Sequence, residues 1–412
     1  MTPGGSSGPG ARGPGARAGR RPHFAVILSI TVTGIMAHVL ITPALPEIAE
    51  EMDVPAARLG LLVAAATAPG IVLAPVMGVL ADRFGRREVV VPCLVTFGLA
   101  GGAGSLAGSF AVLVGLRLAQ GVAAAGLVNL AVVVITDHWH GVERGRRIGH
   151  NMAALTTAVV VLPPLGGALT SLGGWRATFL PYWLAMAAAL AAAVGLPPSG
   201  RAEGSLGQQL VAARRALRSR AVLGPMLLGL VVFMLIFGLF LTAVPVYLSD
   251  RFGLGGAGRG LVMSLPAVTA TVGALSLGRL KTRSGVRTVV TSGLVLYAVG
   301  FALVALVPSL VAVCAGALLY GLGDGLSIAA LQDAVAGEAP EDSRGAVVAT
   351  WMSFARAGQT AGPVLAGTGL DTIGARATFA MGAAVAALAS CAPRFLVQSR
   401  EPSGILAPGP RR

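Results

Sequence analysis

The side chains with chemistry to offer in this 412-residue chain are few, and most are charges set beside or inside long apolar runs. Asp82 stands in Gly78–Arg87, GVLADRFGRR, with Arg83, Arg86 and Arg87 around it. Arg117 and Gln120 lie three apart in LRLAQGVAAA, so they share one helix face. Asp324 and Arg356 sit inside two further apolar runs. Ionisable groups in such runs face a bundle interior or a water-filled cavity, and mark substrate or proton paths. Enzyme chemistry has no comparable footing, because no nucleophile–base pair, phosphate loop or metal cluster stands out. Cys93, Cys314 and Cys391 fall in apolar runs without CxxC spacing and read as small core residues. His38, His138, His140 and His150 lack zinc spacing with partners, and His38 reads as a packed histidine. No cofactor and no metal is expected.

The elements that position these groups follow from composition. Hydrophobic residues make up 55% of the chain and charged residues 12%, too little charge to cover a soluble surface. The class is an all-α polytopic membrane protein. The net charge of +14 does not point to nucleic acid, since the arginines sit in loops and not in a separate basic domain. A spanning helix needs about 20 apolar residues, and on that measure twelve spans are predicted, from 23–42 to 375–392. The expected organisation is a flexible tail (1–21), a six-helix half (22–196), a linker (197–221), a second six-helix half (222–396) and a short tail (397–412). Within the linker, Leu210–Arg218 has the spacing of a basic amphipathic helix. Loops on one side carry Arg83, Arg86, Arg87, Arg144, Arg146, Arg147, the linker arginines, Arg279, Lys281, Arg283, Arg287 and Arg344. The other side carries Arg58, Arg176, Arg251, Arg259 and Arg376. The positive-inside rule puts the first set, and both termini, in the cytoplasm.

The halves repeat at an offset of 200 residues. Gly60 faces Gly260, Gly78 faces Gly278, and Arg83, Gly85 and Arg87 face Arg283, Gly285 and Arg287. Pro163 faces Pro363, Gly167 faces Gly367, and Arg176–Phe179 recurs unchanged at Arg376–Phe379. In the second copy Thr282 replaces Asp82.

The loop G-x-L-A-D-R-x-G-R-R resembles the signature loop between helices 2 and 3 of the major facilitator superfamily. Two parallel six-helix repeats with a substrate site at their interface are that family's arrangement. The resemblance implies that Asp82 latches the two halves against helix 11 when the transporter faces outward, with Arg86 and Asp137 sharing the charge. It makes the first loop (Gly78, Asp82, Arg83, Gly85, Arg86, Arg87) the working copy. The R-x-x-Q-G pattern at Arg117 and Gln120 is similar to a motif of proton-coupled members. In helix 5, AVVVLPPLGG keeps Pro163, Gly166 and Gly167 of the antiporter pattern, while Ala158 and Leu162 replace its glycines.

The expected function is therefore a secondary transporter, proton-coupled and exporting a small hydrophobic or amphipathic compound. The alternative is a proton symporter or exchanger that takes up a small metabolite. The partners expected are the substrate, protons and the lipid bilayer, and the functional unit a monomer. Asp324 and Arg356 lie at depths that differ by about 6 Å at 1.5 Å per residue. They are expected to pair, and to take part in coupling if the pair separates.

Overall fold

The computed structural model describes residues 21–197, 207, 211, 214, 217–338 and 344–397. Both expected tails, and most of the linker with its amphipathic helix, lie outside the described residues. Every regular element described is helical. In hydrocarbon no water can satisfy backbone N–H and C=O groups, so apolar runs of this length close their hydrogen bonds internally. The helices are α1 (Phe24–Glu51), α2 (Ala56–Phe84), α3 (Arg86–Leu106), α4 (Phe110–His138), α5 (Gly141–Ala177), α6 (Leu180–Gly195) and α7 (Arg220–Phe252). They continue as α8 (256–284) and α9 (286–306), which run together through Gly285, then α10 (Leu310–Glu338), α11 (Arg344–Thr372) and α12 (Gly374–Leu396).

Among the described residues nine helices are long and apolar enough to cross a membrane, with α8 and α9 taken as one. The short apolar α6 and the 29-residue α11 pack in the same bundle. One buried apolar core runs through both sets of helices. Across it, α2 packs on α11 and α5 on α8.

Two helices are interrupted inside the bundle. Pro43 cannot donate to Val39, so α1 loses its ladder there and passes through a 3-10 turn at Thr42–Ala44. The Thr42 hydroxyl takes over and donates to the Val39 carbonyl at 2.9 Å. In α7, residues Ile236–Ala243 form a π-helical turn, a local widening that is frequent at functional sites.

The repeat also appears in the backbone. Gly85 has φ 111° and ψ 151°, and Gly285 has φ 77° and ψ 159°. Both angles lie in a region that only glycine occupies readily. Each glycine turns the chain sharply between two helices, and Arg83 and Arg283 precede it by the same two positions. Gly78 lies in the same stretch but within regular helix. A Cβ added there, or at Gly278, would meet nothing within 4 Å. The two positions therefore predict opposite outcomes. Gly85→Ala should lower the thermal midpoint of the purified protein in detergent, for a strain of about 1–3 kcal/mol, whereas Gly78→Ala should leave it unchanged. A scanning-fluorimetry melt measures both.

Candidate functional site

At the arginine-rich end of the bundle, the turn at Gly85 sets the start of α3 beside the end of α2. Arg86 then reaches two carboxylates. Its Nη1 donates to Asp82, one helical turn back across the loop, and its Nε donates to Asp137 Oδ2 at 3.0 Å. The three residues singled out in the sequence thus form one cluster, within the first six helices. Arg83 is exposed and lies over the Phe84 ring at 5.5 Å, and Arg87 is half-buried. Asp82 bonds Arg86 and, among the described residues, does not reach α11. In the second copy Thr282 donates back to the Arg279 carbonyl at 2.9 Å, while Lys281 pairs with Asp333. The degraded repeat has kept an ion pair at this end, now between α8 and α10.

The middle of the bundle is built around one turn of α1. Where α1 breaks before Pro43, its last ladder bond runs from Leu40 N to the Met36 carbonyl at 3.3 Å. Side chains from other helices add donors to its last carbonyls. The Arg117 Nη2 donates to the Ala37 carbonyl, and the Tyr182 hydroxyl donates to the Met36 carbonyl at 3.2 Å. Arg117 Nη1 also donates to Gln120 Oε1, so the expected shared face of α4 is the one turned inward. Gln120 is fully buried and Arg117 nearly so.

From the other half, Arg356 Nη1 donates to His38 Nε2 at 2.8 Å and to Gln359 Oε1 at 3.0 Å. The Phe237 ring, on the π turn of α7, meets the His38 imidazole edge-on at 5.7 Å. His38 is therefore not merely packed: it is a bonded link between α1 and α11. That contact joins residues 318 positions apart and leaves no local signal in the sequence. The expected Asp324–Arg356 pair is absent. Asp324 Oδ1 instead accepts from the Tyr297 hydroxyl at 2.7 Å, between α10 and α9. Counting residues sets heights along the helices but not the azimuth that places Arg356 towards α1.

The opposite end is closed by paired contacts between the halves, each present twice at an offset of 200. The N-terminal turns of α2 and α8 begin after Pro55 and Gly255, which offer no capping side chain. The other half supplies it. Ala57 N donates to Asp371 Oδ2 at 2.8 Å, and Ala257 N donates to Ser171 Oγ at 2.9 Å. One turn along, Gly60 lies against the Pro363 carbonyl and Gly260 against the Pro163 carbonyl, too close for any Cβ. Gly367 abuts Ala56, and Gly167 abuts Gly256.

The helix 5 residues are thus placed at this closure, with Gly166 set against the Leu40 carbonyl of α1. Arg259, read from the sequence as a loop residue, is in fact 2% exposed. It pairs with Glu47 and donates to the Pro43 carbonyl at 2.8 Å, so it ties α8 to the broken end of α1.

A side chain at Gly60 or Gly260 should wedge this end apart. Spin labels on Arg58 and Thr372, both exposed, should report a longer distance in Gly60→Leu than in the unsubstituted protein. Gly145→Leu, where a side chain meets nothing, should leave the distance unchanged.

Comparison with known proteins agrees with this architecture. The chain is 27% identical over 356 residues to a chloramphenicol resistance protein of Streptomyces lividans, covering 85% of this chain and 89% of that one. A bacillibactin exporter of Bacillus subtilis is 26% identical over 160 residues, which span 37% of this chain and 39% of the exporter. Among solved structures, a bacterial homolog of the human lysosomal transporter Spinster, inward-facing and occupied, superposes with a TM-score of 0.75. It shares 16% identity over 90% of this chain and 96% of that one. The human organic anion transporter MFSD10 (TETRAN) superposes at 0.69 with 21% identity, over 90% of this chain and 98% of that one. The model of the Major Facilitator Superfamily matches residues 24–280 and again 226–411, and with the repeated half-to-half contacts this places the chain in that superfamily, as a multi-pass membrane transporter of a small-molecule substrate.

Proposed function

We propose that the chain exports a small hydrophobic or amphipathic compound across the cytoplasmic membrane by alternating access, exchanging it for protons and working as a monomer. In this reading twelve spans form two halves, 22–196 and 222–396, with both termini and the arginine-rich end in the cytoplasm. The observation that carries it is the asymmetry between the two ends. At one end glycines 60, 167, 260 and 367 are pressed against backbone of the opposite half. At the other, glycines 78, 145, 149 and 278 meet nothing within 4 Å. A rocking molecule needs close-approach positions at both ends, of which each state uses one set.

The described state is then the inward-facing one. Gly78 and Asp82 lie at the open end, free to meet α11 when the molecule turns outward. A carboxylate facing the N-terminus of α11 gains about 0.3–1 kcal/mol from the helix dipole, enough to bias a two-state equilibrium several-fold. Arg86 and Asp137 hold Asp82 in register for that contact. Pro163, Gly166 and Gly167 act at the alternate closure. Export, as against uptake, is favoured by the names of the relatives, a chloramphenicol resistance protein over most of the chain and an exporter over part of it.

Asp82→Asn should insert normally and lose at least tenfold in transport rate, while Thr282→Ala keeps most of it. Proteoliposome flux with an imposed pH gradient, over a panel of drugs and metabolites, measures both variants. A gradient acid outside that drives substrate out of the cytoplasmic side supports exchange for protons. Co-accumulation of substrate with protons would instead make the protein a symporter.

A further inference from the structure

We infer that the Arg356–His38 contact is an anion subsite, and that the transported compound is an amphipathic monocarboxylate, a reading that rests on the transport function proposed above. Its basis is the kind of polar atom left without a partner. Arg356 keeps 9% exposure and is held by Nη1 alone, to His38 Nε2 and Gln359 Oε1. A guanidinium cannot accept, so His38 Nε2 is the acceptor and the imidazole proton sits on Nδ1. His38 Nδ1 is buried and without a partner among the described residues. It is therefore a spare donor.

Arg117 Nε and Gln120 Nε2 are likewise buried and unpartnered among the described residues, and both are donors. Every buried side-chain polar atom left unfilled around this turn of α1 thus has a hydrogen to give and no lone pair to offer. No carboxylate among the described residues pairs with Arg117 or Arg356: the ion pairs formed lie elsewhere, and Asp324 is engaged by Tyr297. A cation gains nothing in such a place. An anion supplies the missing acceptor and balances two interior guanidiniums at once.

The form of the anion follows from Arg356. With Nη1 occupied, its Nε and Nη2 edge presents two parallel N–H groups, the fork that matches a carboxylate. Neither atom has a partner among the described residues, nor is either sealed off as Arg117 Nε is. Gly70 of α2 lies directly beside this edge, and a Cβ there would crowd Arg356 Cδ at 3.0 Å and Nε at 3.1 Å. An apolar remainder suits the surroundings, since the Phe237 ring on the π turn of α7 meets the His38 imidazole edge-on at 5.7 Å. On the same π turn Phe240 stacks on Tyr320 at 4.7 Å.

The test uses three probes of one shape and different charge: 4-phenylbutyrate, its neutral amide 4-phenylbutyramide, and the cation 4-phenylbutylamine. Binding of radiolabelled probes to the purified full-length protein is measured alongside their counterflow in proteoliposomes. The carboxylate should bind at least tenfold more tightly than the amide, and the amine should not compete. Arg356→Gln should abolish the difference between carboxylate and amide, and Arg356→Lys, which keeps the charge but not the fork, should retain part of it. Gly70→Val should weaken the carboxylate in a protein whose melting is unaltered.

Equal binding of acid and amide, preference for the amine, absence of carboxylate binding, or a preference that survives Arg356→Gln each overturns the subsite. The two readings fail separately. Counterflow of the amine or amide without the acid leaves the transporter standing and removes the anion site. Binding of the acid without counterflow leaves the site standing and removes the transport reading.

Discussion

A helix that starts at a membrane boundary exposes N–H groups with no partner of their own, and in this protein the starts of α2 and α8 each draw one partner from the opposite half. Neither Pro55 nor Gly255 can cap, so Asp371 and Ser171 do it from across the interface. The helix start is then correctly solvated only while the halves are together at that end. Separating them exposes both turns to water, which can replace these bonds at little net cost, since a protein hydrogen bond is worth only about 0.5–1.5 kcal/mol over one to water. Such a closure is tight in geometry and shallow in energy. A transporter that must open again needs both properties.

The same economy governs the glycines. Backbone laid on backbone, as at Gly60 on Pro363 and Gly260 on Pro163, buries little apolar side chain. Small residues let helices approach this closely in lipid, where van der Waals packing replaces the hydrophobic drive. Few side chains cross this contact, and those that do (Asp371, Ser171 and Arg259) are polar. Arg259 and Glu47 supply the charge-assisted tie that side-chain packing would otherwise provide.

Much of this was legible in the sequence because the duplication preserved the residues that physics holds most strictly. Gly60 with Gly260, Pro163 with Pro363 and Gly167 with Gly367, matched at one offset as plain letters, are the pairs that meet at the closure. Gly85 with Gly285 marks the two turns whose backbone angles exclude other residues. Asp82, Arg86 and Asp137 converge as the family pattern implies. What stayed hidden is what depends on rotation about helix axes. Residue depth follows from counting along a helix, but azimuth depends on packing at many other positions. Depth alone therefore paired Asp324 with Arg356, when the bundle turns the first to Tyr297 and the second to His38. Arg259 was misplaced for a related reason. Its partner Glu47 lies beyond the break at Pro43, and nothing in a hydropathy pattern shows that the two meet.

The break in α1 connects the two regions. Pro43 removes the donor that the Val39 carbonyl would have used, which the Thr42 hydroxyl replaces, and side chains from other helices bond the carbonyls on either side. Arg117 and Tyr182 take those of Ala37 and Met36, and Arg259 takes that of Pro43 itself. Three side chains from α4, α6 and α8 are thereby fixed by a single α1 segment, and Arg356 of α11 touches the same segment through His38. The centre and the closed end share α1 as a common strut, with two of these four anchors in the first half and two in the second. When the halves move apart at one end, Arg259 and Arg356 must shift relative to Arg117 and Tyr182, because they are carried by different halves. In the proposed alternating-access cycle the polar centre is therefore re-formed at each change of state, and a ligand bridging Arg356 to the α1 segment would be coupled to that change by geometry.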